Sequence, residues 1–150
     1  MAERFELGVL NHLLETCRDG ELGFRFAAQL ATAAEVKDLF TTLAQQRGAF
    51  VEELAPHVHR LGGQANTAGS RAGAIHRGWI NLKGAVSSHH DEALLGEAER
   101  GERVAMHAYH EALEGMLPPT VSDLVERQHE AIRAAHARIV SLDRRARVRA

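Results

Sequence analysis

The stretch DEALLGEAERGERVAMHAYHEALEGML, residues 91–117, decides how the chain folds. Residues on one side of it recur at steps of four and three, the spacing of a helix face that packs against other helices. That face carries Leu95, Glu99, Glu102, Met106, Tyr109 and Leu113. Two glutamates three residues apart lie on one side of a helix, so we predict that Glu99 and Glu102 point together into a core. A metal, an arginine or protons must then neutralise them, because burying unpaired carboxylates is very costly.

The rest of the chain continues this helical spacing, and it contains no run that alternates apolar and polar residues as strands do. The pattern predicts helices over residues 4–31, 35–61, 71–87, 90–116 and 120–145. Four long helices with a shorter one between the second and third predict an all-α four-helix bundle with an extra helix in one long crossover. Among bundles, a single crossover is the ferritin-like arrangement.

Length and composition indicate one ordinary globular domain, residues 1–150. Hydrophobic residues make up 45% of the chain and charged residues 25%, which is enough for a real core at this length. The formal net charge is −2, so the overall charge gives no reason to expect binding to nucleic acid or to an anionic membrane.

Cysteine content and apolar runs bear on the compartment. Cys17 is the only cysteine, which excludes an intrachain disulfide framework and a cysteine-rich zinc site. Glu3 and Glu6 interrupt the first apolar residues, a pattern not typical of signal peptides. No apolar run approaches the ~20 residues that span a bilayer. We therefore expect a cytoplasmic protein of bacterial type without a membrane partner.

Each long helix is predicted to place polar side chains near the middle of the bundle. The candidate ligands are Glu21, Glu53, Glu99, Glu102, His129 and His136. Carboxylate and imidazole groups of this kind suit iron or manganese. Ferritin-like di-metal sites use Glu-x-x-His on two helices; Glu126 and His129 match that pattern, but the second helix has no such motif.

Three interpretations of this polar core stay open, the third being that several of these side chains reach solvent. In the first, the six candidate residues bind two metal ions. In the second, basic side chains neutralise the glutamates inside a metal-free bundle, the candidates being Arg18, Arg25, Arg47 and Lys83. Because a buried guanidinium needs a partner, we predict that Arg47 contacts a carboxylate. The order of preference is Asp19 first, then Glu21 or Glu102.

Several short motifs follow one another along the chain, among them ETCRDGE at 15–21, HRGW at 76–79 and ERGE at 99–102. With this combination the sequence resembles a bacterial ferritin-like family of uncharacterised four-helix-bundle proteins, from about Leu10 to Leu142. The resemblance implies the ferritin-like fold but no activity. Proteins with the broader fold include di-iron oxidases, rubrerythrins and iron stores.

From these observations we expect a bundle protein of uncharacterised activity, a stress-related module with a carboxylate and histidine core. The alternative is a di-metal protein that binds iron or manganese and has oxidase or peroxidase activity or a role in iron handling. The long amphipathic helices are also compatible with a homodimer. Trp79 is predicted to be buried where the crossover helix packs on the bundle.

Overall fold

The structure is a computed structural model that describes residues 1–65, 74–75, 78–79 and 90–149. Four long helices account for most of these residues: α1 Ala2–Leu30, α2 Ala34–Arg60, α3 His90–Glu114 and α4 Pro119–Arg149. Over the described ranges there is no strand, so the predicted all-α four-helix bundle is confirmed. None of the helices in these ranges is both long and apolar enough to cross a membrane.

The predicted crossover helix, residues 71–87, lies mostly outside the described residues. Its described members, Ala74, Ile75, Gly78 and Trp79, are helical. Trp79 is 8% exposed, and its indole nitrogen lies 3.4 Å from the point that a Cβ on Gly23 would occupy. The prediction that Trp79 is buried against the bundle is confirmed.

Contacts at one end of the bundle fix the helix directions. The Asp91 carboxylate, at the start of α3, accepts hydrogen bonds from the backbone N–H groups of Thr32 (2.9 Å) and Ala33 (2.8 Å) in the α1–α2 turn. At the same end, Arg145 near the end of α4 lies 3.2 Å from Glu35 at the start of α2. Helices α1 and α4 therefore run one way, and α2 and α3 the other. The end of α2 and the start of α3 consequently lie at opposite ends of the bundle.

Helix α1 packs along α2 and α3 along α4, while α1 also meets α3 and α2 meets α4. The apolar core falls into two clusters. One lies towards the α1–α2 turn and includes Phe24, Phe40 and Leu95. The other lies towards the opposite end and includes Leu14 and Leu54. Between these clusters the first three helices carry buried polar residues, Glu21, Arg47 and Glu102, which form a polar layer.

Helix α3 buries a face different from the one predicted. Its buried residues are Leu94, Leu95, Ala98, Glu102, Ala105, Ala108, Tyr109 and Ala112. Glu102 is buried, but the side chain of Glu99 is 26% exposed, so the prediction that both point into the core was wrong for Glu99. The sequence pattern gave weight to large apolar residues, whereas half of the residues that α3 buries are alanines.

Candidate functional site

A buried ion pair occupies the layer between the two apolar clusters. The terminal nitrogens of Arg47 donate to the two carboxylate oxygens of Glu102 at 2.6 and 2.5 Å, and these residues are 1% and 2% exposed. Such two-point charged hydrogen bonds are among the strongest in proteins. The prediction that Arg47 contacts a carboxylate is confirmed, with Glu102 rather than Asp19 as its described partner.

The surroundings of Arg47 favour its charged form. Burial alone lowers the pKa of Arg47, but the hydrogen bonds and charge of Glu102 raise it, and the net shift is upward. Its Nε donates to the side-chain oxygen of Gln46 at 3.2 Å. The ring centroid of Phe24 lies 5.2 Å from the guanidinium carbon, within the range of a cation–π contact.

Glu21, the second buried glutamate of this layer, is neutralised from its own helix. Arg18 and Arg25 both donate to its carboxylate, Arg25 at 2.9 Å. Two of the four basic residues proposed for a metal-free core thus form ion pairs with Glu21, and Arg47 forms one with Glu102. Lys83 lies outside the described residues.

A second polar cluster links all four helices on the Leu14 side of this ion pair. Tyr109 donates its hydroxyl hydrogen to the Gln128 side-chain oxygen at 2.7 Å. The Gln128 amide nitrogen lies 3.1 Å from Glu53 and 3.5 Å from the carbonyl oxygen of Phe50. These last two groups only accept hydrogen bonds, so the amide nitrogen must face them. Because the one hydroxyl hydrogen of Tyr109 goes to Gln128, the thiol of Cys17 is the donor in its 2.9 Å contact with Tyr109.

The buried groups of this cluster are neutral and its surface end is charged. Burial raises the pKa of the Cys17 thiol from 9.0 to about 11, and burial is also the main reason why the pKa of Tyr109 lies well above 10. A thiol that stays protonated is a poor nucleophile. Burial raises the pKa of Glu53 as well, but hydrogen bonds from Arg127 and Gln128 bring it below its ordinary value.

Glu99 and His136 face each other across α3 and α4. Nε2 of His136 lies 3.0 Å from a Glu99 carboxylate oxygen, and Arg103 lies 2.8 Å from the same oxygen. The contact with His136 is the main cause of a lowered pKa for Glu99. His129 lies elsewhere, stacked on Tyr109 with ring centroids 6.2 Å apart, and burial lowers its pKa.

The six predicted metal ligands are thus distributed over separate ion pairs and hydrogen-bonded groups. Only Glu99 and His136 contact each other directly; the other four are Glu21, Glu53, Glu102 and His129. In the part of the chain that the structure describes, no three histidine, cysteine or acidic side chains form a group that could hold a metal ion. The cationic Arg47 also occupies the middle layer. The arrangement does not fit a di-metal centre made of all six, and metal binding itself stays a prediction.

A cleft of about 550 Å³ opens between α1 and α3. Arg47 and Glu102 lie at its floor, Trp79 lines it towards one end, and His12 and Glu111 line it towards the other. We did not predict this cleft from the sequence. The sequence feature that could have indicated the cleft is the set of small residues on the facing sides of the two helices. A search for large apolar residues does not detect it.

A comparison with known protein families finds a match to most of the chain. The model of a domain of unknown function, DUF2383, matches residues 6–115. The chain belongs to the DUF2383 family. The DUF2383 match includes both members of the Arg47–Glu102 pair and ends before Gln128 and His136 on α4. No curated protein matches the chain. Membership in a family of unknown function agrees with the resemblance to an uncharacterised family, whereas the ferritin-like assignment stays a prediction.

Proposed function

We propose that this protein is a metal-independent helical-bundle module with a structural or interaction role, whose polar core is neutralised by its own arginines. The observation that carries the proposal is the two-point contact between Arg47 and Glu102. It gives the most deeply buried carboxylate of α3 a cationic partner from within the chain.

Energetic reasons support this assignment. A metal ion at Glu102 would have to displace Arg47, leaving a guanidinium with 1% exposure without its counter-charge. Removing one partner of a buried ion pair costs roughly 3–5 kcal/mol. A metal ion would therefore have to offset that cost before it stabilised the fold.

The helix directions and the single long crossover are those of ferritin-like bundles. They support a finer proposal, that this is a ferritin-like fold whose central layer holds an arginine–glutamate pair. The stress-related role and the homodimer are also proposals. Sedimentation velocity measurements would test the homodimer directly.

A second candidate function is the binding of one iron or manganese ion. It is favoured by the contact of Glu99 with His136, which brings a carboxylate and an imidazole together near the surface. These two groups are suitable ligands for either metal. Such an ion would bind apart from the central pair, so separate variants distinguish the two functions.

Thermal melting with a chelator, and with added iron(II) or manganese(II), tests both candidates. We expect no metal-dependent shift in the wild type. We expect Glu102→Leu to lose roughly 3–5 kcal/mol because Arg47 is left buried and unpaired. Glu130→Leu, which breaks the exposed pair with Arg133, is the matched control and should change stability by less than about 1 kcal/mol.

Two results would overturn the metal-independent proposal. One is a wild-type melting temperature that rises with metal and no longer rises in Glu99→Gln, which would support the second candidate instead. The other is a Glu102→Leu variant as stable as the Glu130→Leu control, since the central pair would then not neutralise the core.

A further inference from the structure

We propose that two copies of this chain associate through the outward face of α4, with the two α4 helices antiparallel and related by a two-fold axis. This interface is that of the homodimer proposed above, so it rests on that proposal. The spacing of the exposed residues of α4, the order of their charges and the position of its small residues lead to it.

The outward face of α4 has the spacing of a helix that pairs with another helix. Packing on α2 and α3 buries the opposite side of α4, which includes Val125 and Ile132. On the outward face, exposed residues recur at alternating steps of four and three, the spacing of a helix-to-helix contact. They are Asp123, Arg127, Glu130, Ala134, Ala137, Ser141, Arg144 and Val148. Ile75 and Trp79 of the crossover lie against Gly23 of α1 rather than on this face.

The charges of α4 are separated by sign along its length. Residues 119–130 contain three acidic side chains and one arginine, whereas residues 138–149 contain five arginines and one aspartate. Arg127, the arginine of the first half, is already paired with Glu53 at 2.7 Å. The helix dipole favours this order only within the first and last turns. Glu130 and Arg138 each lie about three turns from the nearer end, so the dipole does not account for the pattern.

Charge complementarity favours a second copy of the chain in the antiparallel orientation. When two such helices run antiparallel, the acidic half of each faces the basic half of the other, whereas a parallel pair sets like charges together. A two-fold axis between Ala134 and Ala137 places Glu126 of one copy opposite Arg144 of the other. Among the described residues, Glu126 and Arg144 have no ion-pair partner within the chain. Both are therefore available to a second copy, and a two-fold contact closes at the dimer.

Small residues lie at the middle of the outward face, where two paired helices come closest. Ala134, Ala137 and Ser141 are exposed and are the residues of this face nearest the two-fold axis. Their short side chains allow two helix axes to approach to about 8 Å. They bury little apolar area, so the charge pairs on either side contribute a large share of the affinity. Salt should therefore weaken the association.

Sedimentation velocity over a concentration series measures this association. We expect the wild type to form dimers at about 0.1 M salt and to dissociate at about 1 M, because the screening length falls from about 10 to about 3 Å. Glu126→Arg and Arg144→Glu each set like charges opposite one another at two symmetry-related places. Each should raise the dissociation constant about tenfold or more, with an unchanged melting temperature because neither residue has a described partner within its own chain.

A mixture of the two variants tests the antiparallel pairing itself. In equal amounts, Glu126→Arg and Arg144→Glu should restore the wild-type affinity, because each substituted side chain then faces one of opposite charge in the other copy. Glu52→Arg is the matched control: Glu52 is exposed on α2 and, within the described ranges, is likewise without an ion-pair partner. That variant should dimerise like the wild type.

The outcomes separate this interface from the proposals on which it rests. A wild type that stays monomeric would overturn both the interface and the homodimer, and would leave the outward face of α4 to a different partner. A dimer that neither reversal weakens, or that Glu52→Arg weakens equally, would overturn the interface alone, since the homodimer would then form elsewhere. The metal-independent role is tested separately by thermal melting with and without metal.

Discussion

The carboxylate of Glu21 occupies the space that a side chain on Gly48 would need. Its Oε2 lies 2.7 Å from the point that a Cβ on Gly48 would take, a distance that real Cβ atoms essentially never show. Arg18 and Arg25 hold this carboxylate in place. The absence of a side chain at residue 48 therefore lets α2 pack against a charged group of α1.

We predict that Gly48→Ala destabilises the bundle by roughly 1 kcal/mol. Alanine gains about 1 kcal/mol over glycine in a helix, but its methyl group pushes Glu21 from its arginines, and a disturbed buried charge costs more than that gain. Urea unfolding would measure the difference. Gly101→Ala is the control, because the open space there leaves only the helix-propensity gain, and that variant should be more stable than the wild type.

A double-mutant cycle checks the cause. With Glu21→Ala in the background, the space beside residue 48 is empty. Gly48→Ala should then become stabilising. If Gly48→Ala is equally destabilising with and without Glu21, the contact between the two residues is not the reason.

We predict that Asp91 holds the α1–α2 turn to the start of α3. Helix α2 begins without a side-chain cap of its own, and Asp91 accepts from the N–H groups of Thr32 and Ala33 instead. Asp91→Ala should cost about 1–2 kcal/mol, because two hydrogen bonds from the turn to a charged acceptor are lost. Asp91→Asn, which keeps one acceptor oxygen, should cost less.

Hydrogen exchange gives a local measurement of the same contact. The amides of Thr32 and Ala33 should exchange faster in Asp91→Ala than in the wild type. Unchanged exchange at both amides would show that other groups hold the turn.

We predict that Cys17 makes the bundle sensitive to alkaline pH. Its folded pKa of about 11 lies above the ordinary value of 9.0, so its stabilising contribution is complete below pH 9 and is lost as the pH rises through 11. A shift of this size corresponds to roughly 2–3 kcal/mol. Unfolding free energies at pH 8 and pH 11, measured under reducing conditions, should fall by that much more in the wild type than in Cys17→Ala. Parallel decreases in the two proteins would contradict the assignment.

The helical spacing of apolar residues predicted the fold because the buried face of each helix can be recognised from the sequence of that helix alone. The bounds of the four long helices, the burial of Trp79 and the need of Arg47 for a carboxylate all follow from such local rules. Glu99 was wrongly placed because alanines define the buried face of α3, and small residues contribute little to an apolar pattern.

The partners within the core depend on tertiary structure, which spacing does not encode. Gln128 is fully buried on α4, but nothing in its neighbours along the chain connects it to Tyr109 and Glu53. Likewise, Asp91 reaches a turn almost sixty residues earlier in the sequence. The six candidate ligands were grouped by depth along the helices, and depth does not determine which side chains meet.

The long crossover divides the chain into two helical hairpins, and each hairpin carries one half of the central charge pair. Arg47 belongs to the first hairpin and Glu102 to the second, so this ion pair forms only when the two hairpins associate. If the two hairpins associated one helical turn out of register, both charges would be buried without a counter-ion, at a cost of several kcal/mol each. The pair thus penalises misaligned association of the hairpins, in addition to any contribution it makes to the stability of the correct one.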